Sequence, residues 1–444
     1  MFDESSPLYK AAYKVVERIG QGRAFFVGGC IRDTILELPL KDIDIATELG
    51  PKQVMSLFPG SELIGADFGV VLIKMDGHAF ETTTFRIDGR YINFRKPVSV
   101  TFGTMQDDAN RRDFTINALY YDPIKEEIID LVDGLIDLKY RMLKCVGDPM
   151  ERFGEDALRI LRAVRFNIRL NMNCNYDMMF AAKKLAPNLA KISAERIRDE
   201  LTRIMIHEQA PEAFELMCHW GVLEVLLPEV VKLIGCKQSP IHHKEGDAWV
   251  HTMLVLKNIE PRDSVHVWSA LLHDIAKPDC FSEFENFHGH AEMGAKMSET
   301  ILSRLKFSND EKNLIISAVR DHMKFLDITK MKKSRLRNFM SEDHFELGKN
   351  LHRADCESSS KDFTALDYLK NKTQEFIQED GAVLPKALVD GDQVMKRLGI
   401  APGPLVGKIL NKIREAQLEG IITTEVGALS YADVLLESNT NEEY

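Results

Sequence analysis

Two closely spaced carboxylates lie in the part of the sequence that carries the clearest chemistry. Asp42 and Asp44 flank Ile43 where acidic and apolar residues alternate, a pattern that predicts a β-strand with both carboxylates on one face. Neighbouring carboxylates repel each other unless a cation lies between them, and hard oxygen ligands of this kind suit Mg²⁺ bound together with a substrate phosphate. Taken alone, such a pair is more often a solvated strand edge, because acidic residues usually face water.

A glycine turn precedes this pair. Gly28 and Gly29 follow a short apolar run and come just before residues with helical spacing. Backbone N–H groups at the start of such a helix can approach phosphate oxygens, and Arg32 adds a charge-assisted partner. A Gly-Gly pair alone usually indicates only a turn. Together with Asp42 and Asp44 it predicts a site that binds phosphate and Mg²⁺, where two metals can activate an attacking hydroxyl and stabilise a leaving pyrophosphate.

The elements that must position these residues alternate between strand and helix. Two further strands are predicted over 68–74 and 79–86, and Asp76 and Gly77 between them indicate a hairpin turn. The polar segment 87–110, which contains glycine and proline, predicts a long loop. From about residue 148 onward the apolar spacing is helical, for example over 155–169 and 193–206, so few strands are expected there.

The composition indicates the class of protein. The chain has 444 residues, of which 45% are hydrophobic and 28% charged, and a net charge of −11; these values are typical of globular proteins and allow about two to four domains. Seven cysteines without a C-x-x-C pair indicate a reduced, cytoplasmic chain. No apolar run approaches the ~20 residues that span a bilayer, so no membrane partner is expected. The negative total still permits a local basic groove for nucleic acid.

The motifs of the first half resemble one enzyme family. The glycine turn and the paired carboxylates resemble the nucleotidyltransferase superfamily of DNA polymerase beta, and more closely the class II tRNA CCA-adding enzymes and bacterial poly(A) polymerases. Four further segments in the family's order resemble its E-x-T-T-F-R strand, its R-R-D-F-T-x-N-A motif, its D-x-x-x-G linker and its E-D-x-x-R-x-x-R-x-x-R-F helix: 81–86, 111–118, 130–137 and 155–166. The resemblance covers roughly residues 20–230.

This resemblance implies an α+β fold with a polymerase beta-like head that contains a small sheet, followed by an all-helical neck, an HD domain and a tail. The implied domains are a nucleotidyltransferase catalytic head, a helical neck that selects the nucleotide and contacts RNA, an HD-type metal domain and a helical tail. Their boundaries are expected at 1–147, 148–235, 236–370 and 371–444. The 87–110 loop corresponds to the family's flexible loop, which is implicated in the change from C to A addition.

In this family protein side chains are thought to choose the incoming base. Asp156 and Arg159 are expected on one face of a helix, where a carboxylate accepts from an exocyclic amine and an arginine donates to a ring acceptor. Cytosine and adenine present that pattern, whereas guanine and uracil reverse it and would leave buried charges unpaired. The alternative is an ordinary i,i+3 ion pair at the surface.

The resemblance also implies roles for other residues. Asp42 and Asp44 are the expected catalytic Mg²⁺ ligands; Glu81 is either a third metal carboxylate or a residue that orients Arg32 or the loop. Arg162 and Arg165 can hold the triphosphate or orient Asp156, and Asn117 can bond the ribose. The expected nucleotide-binding residues are Gly28, Gly29, Arg32, Arg111, Arg112, Asn117, Asp156, Arg159, Arg162 and Arg165.

A second set of residues resembles the HD phosphohydrolase domain. Neutral imidazoles and carboxylates suit a transition metal, and the expected ligands are His251, His273, Asp274, His290 and His322. The last element reads Asp321-His322 rather than His-Asp, which leaves the ligand at that end open. Phosphatase or cyclic phosphodiesterase activity is a further possibility at this site.

The expected function is therefore addition of CCA to tRNA 3′ ends from CTP and ATP. The alternatives are a poly(A) polymerase, an enzyme that adds only A, and a chain whose main activity is HD phosphohydrolysis. A basic cluster from Lys324 to Arg337 can follow RNA phosphates or form a solvated helix face. The oligomeric state stays open.

Overall fold

The structure is a computed structural model that describes residues 2–65, 69–89, 91–92, 96–97, 99–238, 246–284 and 286–441. It divides into two compact units, 1–231 with 304–306 and 232–303 with 307–444. The predicted α+β class is confirmed, because a mixed sheet lies in the first unit and helices dominate the rest. Among the described helices, none combines the length and the apolar character that crossing a membrane requires.

The first unit contains every strand assigned in the described residues. The strands are β1 (Ala24–Val27), β2 (Asp44–Thr47), β3 (Glu62–Gly65), β4 (Val70–Met75), β5 (His78–Thr84), β6 (Arg86–Asp88), β7 (Tyr91–Ile92), β8 (Lys96–Pro97), β9 (Val100–Phe102), β10 (Leu119–Asp122), β11 (Glu127–Asp130), β12 (Met142–Leu143) and β13 (Asn173–Cys174). The helices are α1 (Pro7–Ile19), α2 (Gly29–Ile35), α3 (Pro51–Leu57), α4 (Met105–Asn110), α5 (Gly134–Lys139), α6 (Pro149–Glu155), α7 (Leu158–Leu170), α8 (Tyr176–Leu185), α9 (Ala194–Met205), α10 (Ala210–His219), α11 (Leu223–Leu226) and α12 (Pro228–Val231).

Seven strands form the main sheet, in the order β11-β10-β1-β2-β5-β4-β3. Only the β2–β5 pair is parallel; the other neighbours are antiparallel. The β1–β2 register pairs Val27 with Asp44, so the turn at Gly28 follows directly beside the start of β2. The sheet therefore brings the glycine turn and the acidic segment together, as their sequence spacing predicted.

The predicted hairpin is confirmed. Met75 pairs with His78, and Asp76 and Gly77 both have positive φ, the turn geometry that matches the twist of paired strands. The interpretation of 87–110 as a loop is wrong for its described part. Arg86–Asp88 pairs with Val100–Phe102, and the hydroxyl of Thr104 accepts from the N–H of Asp107 to cap α4.

The predicted helix over 155–169 is interrupted. Asp156 has φ −140° and ψ 102°, so it lies between α6 and α7 rather than on one helical face with Arg159. The carboxylate of Asp156 accepts from the N–H of Leu158 at 3.1 Å, a local bond that competes with helix continuation. The prediction that a regular three-residue spacing positions these two side chains is therefore wrong.

The second unit is helical in its described part. Its helices are α13 (Ala248–Asn258), α14 (Ser264–Leu272), α15 (Lys277–Phe284), α16 (His290–Arg304), α17 (Asn309–Asp321), α18 (Lys333–Phe339), α19 (Phe345–Ser358), α20 (Thr364–Asp380), α21 (Gly391–Leu398), α22 (Pro404–Leu418) and α23 (Glu425–Asn441). Near the end of the chain, α21, α22 and α23 enclose their own apolar core, centred on Val394 and Ile409.

The four-domain division stays a prediction. The boundary expected at 370/371 falls within α20 (Thr364–Asp380), which continues without a break. The predicted neck is also not entirely helical, because β13 pairs in parallel with β12. Two-residue strands are too short to leave an alternating pattern in the sequence, which explains why this pairing was not predicted.

Candidate active sites

Three carboxylates come together where β2 begins. The parallel register of β2 and β5 pairs Ile45 with Thr82, so the preceding residues, Asp44 and Glu81, are neighbours on adjacent strands. The strand starts at Asp44, so Asp42 lies in the connection just before β2, and the prediction that one strand carries both carboxylates is wrong for Asp42. All three carboxylate residues are exposed.

The charges of Asp42 and Glu81 oppose ionisation of Asp44. Neighbouring protein atoms reduce the hydration of the Asp44 carboxyl although the residue stays accessible to solvent, and the charges of Asp42 and Glu81 add to this effect, so the pKa of Asp44 rises to about 6. A carboxylate whose ionisation is opposed in this way is stabilised by a cation, and the oxygen donors of the three residues fit a hard divalent ion. The effect of Glu81 on Asp44 favours its interpretation as a metal carboxylate over that of a residue orienting Arg32.

The turn at Gly28 requires glycine. Its φ is 78°, and a Cβ there would lie 3.3 Å from both the Arg112 guanidinium and the Asn117 carbonyl oxygen. A side chain would therefore be strained by the backbone and by its neighbours. Gly29 begins α2 directly after this turn, which leaves the first N–H groups of the helix without intrahelical acceptors.

Arg32 is buried within a polar network. Its guanidinium donates to Asp33 at 2.7 Å and to the carboxamide oxygen of Asn117, and it lies 5.0 Å from the centroid of the Phe166 ring. Arg169 holds the other oxygen of Asp33 at 2.8 Å. The bonds of Arg32 and Asn117 in the structure are thus to protein groups, and their contacts with phosphate and ribose stay predictions.

Asp108 connects the two neighbouring arginines. Arg111 donates twice to one of its oxygens, at 2.6 and 2.9 Å, and Arg112 donates twice to the other, at 3.0 and 3.2 Å. The Tyr120 hydroxyl donates to the same carboxylate at 2.7 Å. Burial raises the pKa of Asp108, but the charges of Arg112 and Arg111 outweigh it, so the net pKa is lowered. Asp108 therefore fixes both guanidinium groups.

Asp113 connects the same motif to α7. Arg162 donates to its Oδ2 at 2.6 and 2.8 Å, and Asn117 donates to its Oδ1 at 3.0 Å. Burial opposes ionisation of Asp113, but Arg162 and Asn117 outweigh it and hold the pKa well below its usual value. In the structure Arg162 is therefore the ion-pair partner of Asp113, not of Asp156.

Asp156 and Arg159 have different partners. Arg196 of α9 donates to Asp156 Oδ2 at 2.7 Å, whereas Arg159 donates to Glu155 at 2.6 Å. Asp156 is half-buried and Arg159 is buried. The alternative of an ordinary exposed helical pair therefore does not describe these residues.

The same helix also fixes Arg165. Glu200 is buried on α9, four residues after Arg196, and its Oε2 accepts from Arg165 at 2.7 Å. Residues four apart lie on one helical face, so one face of α9 supports both Asp156 and Arg165. These contacts do not bear on triphosphate binding by Arg165, which stays a prediction.

The second unit contains a buried cluster of imidazoles and carboxylates. Ligand atoms within 4.8 Å of one another occur in two groups of three, His251–His273–Asp274 and Asp274–His290–His322. Among the described residues no other three His, Cys, Asp or Glu side chains meet this distance, including Asp42, Asp44 and Glu81. The five ligands predicted for the HD site are thus brought together.

Asp274 lies between two histidine pairs. Its Oδ2 is 3.2 Å from His273 Nε2 and its Oδ1 is 3.3 Å from His290 Nε2. The Nε2 atoms themselves lie 3.3 Å apart in the His251–His273 pair and 3.1 Å apart in the His290–His322 pair. Facing nitrogen lone pairs need a proton or a cation between them, which is the arrangement that a metal site provides.

Second bonds orient three of these rings. The Nδ1 atoms of His273, His290 and His322 lie 2.8, 2.8 and 2.6 Å from backbone carbonyl oxygens, so each Nδ1–H donates and each Nε2 is left free for a metal. Burial lowers the pKa of His322 to about 4, which keeps it neutral at pH 7. His322 joins the cluster, whereas Asp321 bonds to His344 at 3.0 Å.

A cavity of about 360 Å³ opens onto this cluster. Lys277 and Asp355 line it together with Asp274. Lys277 Nζ lies 2.6 Å from Asp274, and Asp355 lies 3.2 Å from His251 Nε2. Neither residue was among the predicted ligands, although Lys277 lies only three residues after Asp274. The site can therefore hold a divalent metal next to a space that admits a small anion.

Comparison with known proteins identifies related domains in both units. Residues 24–144 match the poly A polymerase head domain, 172–233 match the probable RNA- and SrmB-binding site of polymerase A, and 249–372 match the HD domain. The CCA-adding enzyme of Limosilactobacillus reuteri (strain DSM 20016) is 31% identical over 436 residues, 97% of this chain and 96% of that protein. The chain belongs to the CCA-adding enzyme family.

Solved structures agree with this assignment. The CCA-adding enzyme of Bacillus stearothermophilus in complex with CTP superimposes with a TM-score of 0.75 at 25% identity and covers 99% of both chains. The Thermotoga maritima enzyme complexed with tRNA has a TM-score of 0.57 at 20% identity, with 93% of this chain and 91% of that chain covered; this likeness supports the fold alone. The nucleotidyltransferase head and the HD domain inferred from sequence motifs are thus confirmed.

The partly buried pair of Asp113 and Arg162 predicts a measurable loss of stability when it is broken. Asp113→Asn removes the nearer charge partner of Arg162 and leaves only Glu200, at 3.9 Å. We expect the free energy of unfolding to fall by about 2–3 kcal/mol, less than for a fully buried pair because Arg162 is about one-third exposed. Urea denaturation at pH 7 measures this. The matched variant Asp76→Asn removes the exposed ion pair with Lys14 and is expected to cost under ~1 kcal/mol.

The contribution of the same pair to the free energy of unfolding should decrease at low pH. Because the pKa of Asp113 is lower in the folded chain, its contribution is present above the unfolded pKa of about 3.9 and is lost as pH falls below it. The difference in stability between wild type and Asp113→Asn should therefore shrink below about pH 4. A difference that stays unchanged as the pH falls from about 4 to about 2 would contradict this account.

Proposed function

We propose that this chain completes tRNA 3′ ends by adding C, C and A from CTP and ATP, and that Asp42 and Asp44 hold Mg²⁺. The proposal rests on the carboxylate cluster at the start of β2, where Asp42 and Glu81 raise the pKa of Asp44. Membership of the CCA-adding enzyme family, shown by a relative that aligns with 97% of this chain, supports tRNA as the substrate.

The reaction forms one phosphodiester bond and breaks one phosphoanhydride bond. The RNA 3′-hydroxyl attacks the α-phosphate of the nucleotide, and pyrophosphate leaves. Divalent metal ions at such a site lower the pKa of the attacking hydroxyl and neutralise charge on the leaving group. The Gly28 N–H donates to the Leu119 carbonyl oxygen at 2.9 Å, so the N–H for a phosphate oxygen comes from Gly29 at the start of α2. Arg111 and Arg112, fixed by Asp108, keep positive charge nearby.

Base selection is assigned to Asp156 and Arg159. The carboxylate can accept from the exocyclic amine of cytosine or adenine, and the guanidinium can donate to the adjacent ring nitrogen. Arg196 donates a hydrogen bond to Asp156, and Glu155 accepts one from Arg159. Because these partners restrain the Asp156 and Arg159 side chains, the two groups cannot rearrange to bond a wrong base. The pair can therefore distinguish cytosine and adenine from guanine and uracil without a nucleic acid template.

An extension assay tests this function. A tRNA transcript that ends before CCA is incubated with CTP alone, ATP alone or both, and the products are sequenced. We expect two C residues with CTP alone and a completed CCA with both nucleotides. Repeated A from ATP alone would identify a poly(A) polymerase, and a single A only on tRNA that already ends in CC would identify an A-adding enzyme. Either result, or no extension, would contradict the proposal.

The HD cluster supports hydrolysis of phosphoesters as a second candidate function. The observation that favours it is the two groups of ligands that share Asp274, next to the cavity lined by Lys277. A buried ammonium beside the ligands suits a phosphate group, since it can neutralise an anion that enters the cavity. His251, His273, Asp274, His290 and His322 would hold the transition metal, which supplies a Lewis acid for attack on phosphorus.

Loss of Asp274 tests this candidate. The wild-type chain, reconstituted with Mn²⁺ or Ni²⁺ and desalted, should retain metal and hydrolyse bis-p-nitrophenyl phosphate. Asp274→Asn should lose most of the metal, because Asp274 is common to both groups, while extension of tRNA continues. Elemental analysis measures the metal. Asp279→Asn, which removes a carboxylate paired with Lys232 in the same unit, is the control; equal metal in both variants would contradict the assignment.

A further inference from the structure

An exposed aromatic pair lies on α8 (Tyr176–Leu185). Tyr176 is 77% exposed and Phe180 is 52% exposed. Their ring centroids are 6.5 Å apart and the ring planes differ by only 21°, so the two rings stack at the surface. The opposite side of the helix buries Met178, Ala181 and Ala182, which means that the aromatic pair is not needed to anchor α8 to the core.

Lysines continue the same face. Residues four apart share a helical face, so Tyr176, Phe180 and Lys184 form one stripe, with Lys183 beside it. The Lys184 ammonium lies 5.8 Å from the centroid of the Phe180 ring. Lys183 and Lys184 are exposed, and Asp177 is the one acidic residue of the helix. We call Tyr176, Phe180, Lys183 and Lys184 the α8 face.

This chemistry fits RNA better than protein. Exposed aromatic rings stack on unpaired bases without a strong sequence preference, and neighbouring lysines contact phosphates. The α8 face also lies in the segment 172–233 that matches a probable RNA-binding family. The other basic cluster is mostly paired, because Lys330 contacts Asp327, Lys333 contacts Glu379, and Arg337 is buried.

We propose that the α8 face is a stacking platform for unpaired bases of the RNA substrate, with Lys183 and Lys184 on the adjoining phosphates. The inference rests on the proposed function only for the identity of the RNA as tRNA. The exposed aromatic and basic surface is present whatever the function. It assigns Tyr176 and Phe180 to RNA affinity rather than to catalysis. The aromatic pair should therefore affect tRNA binding and leave nucleotide addition at saturating tRNA unchanged.

The double variant Tyr176→Ala/Phe180→Ala in the full chain tests this. The dissociation constant for a tRNA transcript lacking CCA should rise by about tenfold or more, since one base–aromatic stack contributes ~1–3 kcal/mol. The kcat for CMP incorporation and the KM for CTP should not change. The exchange Tyr176→Phe/Phe180→Tyr keeps the stack and should bind like wild type. Tyr140→Ala, which removes a similarly exposed tyrosine beside Lys139, should have little effect.

Two further measurements separate stacking from charge. Binding of a fully paired RNA duplex should be insensitive to the aromatic double variant, because its bases are not available. Lys183→Gln/Lys184→Gln should reduce the slope of log Kd against log salt by about one per phosphate contact. An aromatic variant that binds tRNA within about twofold of wild type would overturn the platform, and so would an equal loss for duplex RNA. A wild-type chain that binds tRNA through this face but does not extend it would refute the proposed function alone.

Discussion

Asp44→Asn is expected to reduce incorporation of CMP and AMP by about three orders of magnitude or more at saturating tRNA. Asp44 is the carboxylate at the start of β2 whose charge is opposed by both Asp42 and Glu81. A carboxamide removes the negative charge that would hold a divalent ion, and metal stabilisation of the developing charge accounts for several kcal/mol of the barrier. Single-turnover kinetics with labelled CTP measures the loss in the chemical step.

A nearby acid supplies the control for this variant. Glu48→Gln removes an exposed carboxylate just after β2, which pairs with Arg23, and should leave the rate within about twofold. The affinity for tRNA should be similar in all these proteins. If Asp44→Asn keeps more than about a tenth of the wild-type rate, the carboxylate cluster is not the site of nucleotidyl transfer. Glu81→Gln separates the two interpretations of Glu81. If Glu81 is a metal ligand, its loss raises the divalent-ion concentration needed for half-maximal rate; if it orients Arg32 or the loop, that concentration stays the same.

The local elements around the head site were predictable from the sequence. The strand residues Asp44 to Ala46, the glycine pair before α2 and the Asp76-Gly77 turn each depend on neighbours within a few residues. The alternating pattern extended this strand too far, because Asp42 lies before its start. The HD ligands were predictable for a similar reason, since each lies in a recognisable motif. For these segments local pattern and tertiary structure agree, so the sequence carries enough information.

The polar partners were not predictable in the same way. Arg169 reaches Asp33 across 136 residues, and Arg196 reaches Asp156 across 40; no periodicity specifies such pairs. The break at Asp156 was missed because its side chain, not an apolar pattern, ends the helical run. Asp108 could have been found, since it precedes Arg111 and Arg112 by three and four residues on a helix. Asp355 became recognisable only when α19 was placed beside the histidines.

Asp156→Asn is expected to relax base selection. A carboxylate only accepts hydrogen bonds, and it therefore favours the exocyclic amine of cytosine over the O4 oxygen of uracil. A carboxamide can turn its NH₂ group towards O4, so the preference for CTP over UTP, measured as the ratio of kcat/KM values, should fall by about 10–100-fold. Steady-state incorporation of each nucleotide on tRNA lacking CCA measures this ratio. Glu151→Gln, an exposed acid-to-amide change on α6, should leave it unchanged.

A variant of Arg196 distinguishes a direct contact of Asp156 with the base from the effect of holding Asp156 in position. Asp156 Oδ2 accepts from Arg196 at 2.7 Å, so Asp156→Asn alters a protein contact as well as the proposed contact with the base. Arg196→Ala leaves the Asp156 carboxylate in place but removes its support, and it should lower kcat/KM for CTP while the preference for CTP over UTP is largely kept. If both variants relax selection equally, the geometry that Arg196 imposes decides the base. If neither relaxes it, Asp156 does not read the base, and selection must depend on other groups around the nucleotide.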